Sequence, residues 1–165
     1  ITLPTVSLNR VLILSTGSTC SASESLINGL RGIDVEVILI GDTTCGKPYG
    51  FYPTDNCGTT YFTIQLTGAN NKGFGEYSDG FSPQNATSSY GVSVPGCSLA
   101  DDYSHLLGDS EEGLLKQALE YRDTGTCSAQ PVNKNQLLSQ KTQTGSAIKT
   151  PKVWNEKILS RGQRK

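Results

Sequence analysis

Two largely apolar runs on either side of one amphipathic segment constrain this chain more than any other feature. Val11–Leu14 sits inside LNRVLILST, residues 8–16, and residues 35–40 read VEVILI. Runs of this kind suit strands buried on both faces. Between them ESLINGLR, residues 24–31, sets Leu26, Ile27 and Leu30 at helical spacing, with Gly32 as the stop. Strand, helix and strand in so short a span is a βαβ unit. Its two strands run parallel, so their C-terminal ends are neighbours.

The later chain is less regular. Residues 41–58 form a loop rich in Gly, Pro and Tyr. Residues 59–67, TTYFTIQLT, alternate and predict a strand. Residues 68–89 are polar and Gly-rich with no helical period. Residues 91–94 predict a short strand. EEGLLKQALEYR, residues 111–122, is the clearest helix, with a stripe of Leu114, Leu115, Ala118, Leu119 and Arg122. Gly108-Asp109-Ser110 is its expected N-cap and Gly125 its stop. From Ser128 the sequence is Gln, Lys, Ser and Thr with scattered apolar residues, the composition of a disordered or loosely attached tail.

Charge divides the chain at the same place. Residues 1–127 hold 6 Lys/Arg and 14 Asp/Glu, whereas residues 128–165 hold 8 Lys/Arg and 1 acidic residue. The pattern is an acidic folded body, 1–127, with a basic tail, 128–165. The tail has one aromatic, Trp154, and spread charges, which weighs against nucleic-acid binding. No stretch is long and apolar enough for a membrane span. The chain has no Met, starts at Ile1 and shows no leader pattern, so it is expected to begin inside a longer gene product.

The five cysteines are Cys20, Cys45, Cys57, Cys97 and Cys127. None forms a C-x-x-C pair and His105 is the single histidine, so no metal or other cofactor is called for. Cys45 and Cys57 bracket one loop, and Cys97 and Cys127 bracket one helix. The expectation is disulfides 45–57 and 97–127 with Cys20 free, in an oxidising compartment.

Ser21 falls where the first strand turns into the helix. A side chain there projects from the end of a parallel sheet, and first-turn amides point into the same space. Ser21-Ala22-Ser23-Glu24 is also a capping box, and spacing alone favours that plainer role. Cys20 and Ser23 are rival nucleophiles. Lys47 follows the second strand, so topology brings its loop beside that of Ser21. As a base it requires burial to lower its pKa from ~10.4 to roughly 7–8, for which Tyr49, Phe51 and Tyr52 are the candidate cover. Gly41-x-x-x-x-Gly46-Lys47 also approaches a phosphate loop, but Pro48 stands where a hydroxyl residue and a helix start are needed. His105, in Asp101-Asp102-Tyr103-Ser104-His105, could join a triad only by folding back; a helix-entry role is the simpler one. Asn85-Ala86-Thr87 is a glycosylation sequon.

The stretch VLILSTGSTCSASESLINGLRGIDVEVILIGDTTCGK, residues 11–47, resembles the C-terminal processing (tail-specific) serine peptidases. The resemblance rests on Ser21-Ala22-Ser23-Glu24 and Gly46-Lys47, in family order and near the family spacing, and extends loosely to residue 127. It implies an α/β fold, a Clp protease/crotonase-like core of stacked ββα units, incomplete at the N-terminus of this chain. It implies Ser21 as nucleophile, Lys47 as general base and the Ala22 amide as one oxyanion donor. A second donor and a peptide-binding domain would lie upstream. Phe51 stands where relatives often carry Gln. The implied activity is serine endopeptidase action on a protein or peptide substrate in an extracytoplasmic setting, periplasmic or secreted, with the isolated fragment expected to hold the nucleophile and base but not the whole active site. A non-catalytic peptide- or ligand-binding module of the same fold is the alternative.

Overall fold

The computed structural model describes residues 7–87 and 90–128. They fall into two compact units, one built on 7–50 and 66–128 and the other containing residues 51–65. The basic tail expected beyond residue 128 lies outside the described residues.

The first unit opens with the predicted βαβ crossover: β1 (Arg10–Ser15), α1 (Ala22–Gly32) and β2 (Glu36–Gly41). β1 and β2 pair in parallel from Arg10↔Glu36 to Ser15↔Gly41. After a short strand β3 (Tyr49–Gly50), the hairpin strands β4 (Thr54–Asn56) and β5 (Thr59–Tyr61) belong to the second unit. They pair antiparallel around Cys57, whose φ is +49°, and Gly58, with the Phe51 and Phe62 rings edge to face at 5.4 Å. The chain returns to the first unit through β6 (Leu66–Thr67), antiparallel to β3, then β7 (Phe81–Pro83), β8 (Val92–Val94), β9 (Gly96–Ser98) and α2 (Gly113–Thr124).

The main sheet has the order β1-β2-β9, and β9 joins β2 in parallel through Leu39↔Gly96, Ile40↔Cys97 and Gly41↔Ser98. β2 is therefore central, which explains its apolar run from Val37 to Ile40. Val37 and Leu39 face one layer with Ile27 of α1, Tyr77, Phe81 and Val94. Ile38 and Ile40 face the other with Cys97 and Ala118 of α2. Alternating side chains of one strand thus feed two helical layers.

Two expectations need correction, and one stretch without a period holds part of the core. Residues 59–67 do not form one strand; they are split into β5 and β6, and residues between them carry exposed Phe62 and Ile64. The Gly-rich residues 68–87 do lack a helix. They contribute Tyr77 and Phe81, stacked at 4.9 Å and 2% and 0% exposed, so two isolated aromatics anchor them without any period. The α2 cap is Glu112 rather than Gly108-Asp109-Ser110: its buried carboxylate accepts from Leu114 N at 3.0 Å and Leu115 N at 2.8 Å. Gly125 does end α2, at φ +70° with its amide donating to Tyr121 O.

The layer assignment separates two leucines that the sequence treats alike. Leu39 is fully buried and Leu26 is 57% exposed. Leu39→Ala should cost about 2–5 kcal/mol of stability in denaturant unfolding, and Leu26→Ala within about 0.5 kcal/mol. Equal costs would contradict the assignment of α1's buried face.

Candidate active site

The loops that leave β1 and β2 run side by side from the same end of the sheet. Asp42 N donates to Ser15 O at 3.1 Å, and Ser15 Oγ donates to Asp42 O at 2.8 Å. One turn on, Cys45 N donates to Thr19 O at 3.0 Å. A disulfide then joins Cys20 to Cys45, with Cα atoms 5.3 Å apart. This overturns the expected 45–57 pairing. Cys57 is exposed and unpaired on the hairpin turn, and Cys20 is bonded. Bracketing a loop in sequence was the wrong criterion, because parallel strand ends bring residues 20 and 45 together. The 97–127 pair forms as expected.

Glu24 lies at the centre of this arrangement. Its side chain is fully buried, at 0% exposure. Oε2 accepts from Ser21 N at 2.9 Å and from Lys47 N at 2.7 Å. Oε1 accepts from Thr44 Oγ1 at 2.6 Å and from Gly46 N at 2.7 Å. The first of these bonds is the backbone half of the capping box. The other three reach across to the β2 loop. The amides of Ser21 and Lys47 thus share one carboxylate oxygen. Their separation cannot exceed two hydrogen bonds laid end to end.

Local backbone fits this geometry. Ser21 has φ +51° and ψ −104°, an unusual conformation for a residue with a side chain. Such a conformation persists where neighbours over-determine it, and here Cys20 is covalently held while Ser21 N is bonded to Glu24. Gly46 has φ +78°, and a Cβ there would run into the Ser78 carbonyl. Glycine is required immediately before Lys47. Thr44 fixes the loop's other side: its amide donates to Phe81 O at 2.9 Å and Phe81 N donates to its Oγ1 at 2.8 Å.

Ser21, Ala22 and Lys47 are all exposed. Among first-turn amides, Ser23 N donates to Cys20 O at 3.1 Å, while the Ala22 amide has no acceptor among the described residues. That N–H is free to meet a ligand oxygen. Of the aromatics expected to cover Lys47, Tyr49 of the same unit is itself half exposed. Of the rival nucleophiles, Cys20 is consumed by its disulfide. The phosphate-loop alternative also fails. The amides of Gly46 and Lys47 are taken by Glu24, and Lys47 leads through buried Pro48 into β3 rather than a helix. Sequence reasoning missed Glu24 as more than a cap; its partner Thr44, a buried hydroxyl in a polar loop, carried the only further signal.

His105 serves the entry of α2. Its Nδ1 meets Asp102 Oδ2 at 2.7 Å, and the same oxygen accepts from Gly113 N at 3.0 Å. The bond to Asp102 raises the imidazole above 6.5, while the Ser104 amide first, and His105 next, lower Asp102 to about 2.

Two measurements test these contacts. Each Glu24 oxygen faces two donors, so either orientation of an amide opposes NH2 to two of them. Glu24→Gln should cost at least about 2 kcal/mol in denaturant unfolding, against within about 0.5 kcal/mol for the exposed Glu36→Gln. Equal losses would remove Glu24 from its central place. For His105 the sign is fixed by a raised pKa: its support is complete below 6.5 and fades as pH rises through the raised value. Asp102 contributes above its ordinary value of 3.8 and loses that contribution as pH falls towards 2. NMR titration of the single imidazole should give a midpoint above 6.5 that falls in Asp102→Asn; a midpoint at or below 6.5 would contradict the pair.

No protein-family model matches the chain, and no curated protein does either. Among solved structures, the fold is similar to that of a "Putative S41 protease" from Bacteroides fragilis NCTC 9343, with a TM-score of 0.59 and 23% identity over 73% of this chain. The match spans 29% of that chain. At this identity the likeness is one of fold: the described residues adopt part of the Clp protease-like fold of an S41 protease.

Proposed function

We propose that this chain carries the nucleophile and base of a serine peptidase, with Ser21 attacking, Lys47 accepting its proton and the Ala22 amide holding the oxyanion. The observation that carries this reading is the shared Glu24 carboxylate, which draws the Ser21 and Lys47 amides to one oxygen. The fold likeness to an S41 protease supports the same class at a coarse level.

The chemistry is acyl transfer. A neutral Lys47 amine takes the Ser21 proton as Oγ attacks a peptide carbonyl. The Ala22 N–H donates to the tetrahedral oxygen at the start of α1, where the helix dipole favours negative charge. Lys47 returns the proton to the departing amine, and water then hydrolyses the ester. The substrate class is protein or peptide. The Cys20–Cys45 and Cys97–Cys127 disulfides are compatible with an extracytoplasmic setting, as is the absence, among the described residues, of a helix long and apolar enough to cross a membrane.

One observation favours a second reading. Lys47 is exposed in this chain, and a lysine base works near neutral pH only when desolvated. A segment with this geometry but no cover over Lys47 would bind a peptide carbonyl without turning it over.

Peptide hydrolysis by the protein that contains this chain separates the two. Ser21→Ala and Lys47→Ala should each lower kcat by at least about 10³-fold, as removal of a nucleophile or its base does. Wild-type turnover in either variant would refute the dyad. Peptide binding without turnover in the unmutated protein would establish the second reading.

A further inference from the structure

The parallel ladder that positions the candidate site stops short of it. Its last pair is Ser15↔Gly41, and residues 16–21 and 42–47 continue beyond the sheet. Two side-chain ties join these loops: the buried Glu24 carboxylate and the Cys20–Cys45 disulfide. They differ in accessibility. Glu24 is fully buried, whereas Cys20 and Cys45 are each only half-buried. The other disulfide is better protected, because Cys97 is 2% exposed beneath α2. Its partner Cys127 is half-buried, so a thiol from solvent has one accessible sulfur to attack there and two in Cys20–Cys45.

Position gives this difference a consequence. Cys20 directly precedes Ser21, and Cys45 lies two residues before Lys47. Ser21 holds φ +51°; the Cys20 disulfide restrains the residue before it, Glu24 holds its amide, Ser25 N donates to its carbonyl at 2.8 Å, and Cys45 N donates to Thr19 O at 3.0 Å. Opening the disulfide removes the covalent restraint and leaves the hydrogen bonds, so the hold on the unusual Ser21 conformation weakens while the sheet and helices stay formed.

We infer that Cys20 and Cys45 are positioning residues whose disulfide is a redox-sensitive latch on the Ser21–Lys47 pair: oxidised, it holds the two loops in reacting register; reduced, it releases them. The inference rests on the Ser–Lys reading for its effect on reactivity. The step is reduction by a dithiol. The Cys20–Cys45 S–S bond breaks, each sulfur gains one electron and one proton, and the dithiol is oxidised to its own disulfide.

The test uses the protein that contains this chain, treated with graded dithiothreitol, with mass spectrometry of alkylated peptides reporting which disulfide has opened. Three quantities are followed together: labelling of Ser21 by a fluorophosphonate, amide hydrogen exchange, and the melting transition. Once Cys20–Cys45 is open and Cys97–Cys127 still closed, labelling should slow about tenfold, as for a register held about a tenth of the time. Exchange should quicken at residues 19–24 and 44–47 and stay unchanged in α2. Reoxidation should restore both, and the Cys20→Ser/Cys45→Ser double variant should match the reduced protein if it folds. Unchanged labelling with that disulfide open would overturn the latch. Absence of labelling in both states would refute the peptidase reading instead. Exchange then decides the latch alone: quickening confined to the two loops supports it, and no change overturns it.

Discussion

The Glu24 carboxylate accepts four hydrogen bonds in a place that solvent does not reach. A buried carboxylate is costly unless its oxygens are satisfied. Here every donor comes from two loops that otherwise have no ladder to align them. The parallel pairing of β1 and β2 makes those loops neighbours; Glu24 sets how they sit against each other. It does so from the third position of α1, where a side chain naturally turns back towards the helix start. One residue can therefore cap its own helix and clasp the adjacent loop. The cap and the site are the same set of bonds.

This arrangement also settles what is left open. Backbone amides at Ser21, Gly46 and Lys47 are spent on Glu24, so the loops are fixed from beneath. The Ser21 and Lys47 side chains and the Ala22 amide remain at the surface. A rigid backbone with exposed functional groups suits recognition of an extended carbonyl-bearing ligand. The α1 dipole adds to it, since its positive end lies at Ser21.

The βαβ unit was legible because β2 is central. A strand buried on both faces must be apolar throughout, and VEVILI is nearly so. The parallel direction and the proximity of the two loops follow from topology alone. Of the two disulfides, 97–127 was legible from the helix it brackets, whereas 20–45 was not, because Cys20 and Cys45 bracket no single element's loop and meet only through that same topology. Tyr77 and Phe81 were missed because a short strand anchored by two aromatics in a Gly-rich stretch has no period to detect. The cap at Glu112 was missed because Asp109 and Ser110 have the commoner capping chemistry, and tertiary burial favoured the longer carboxylate. At the candidate site, Ser21, Ala22 and Lys47 were proposed from a pattern alone. The residue that joins them was visible as a cap and not as a clasp, because three of its four partners lie on another element.

The central claim is that the geometry organised by Glu24 makes Ser21 a nucleophile dependent on Lys47. The most direct measurement is mass spectrometry of the protein after rapid mixing with an activated peptide ester and acid quench. The account predicts one acyl group, located on Ser21, and none in the Lys47→Ala variant. Acylation at Ser23, or equal acylation of Ser21 with Lys47 removed, would contradict it.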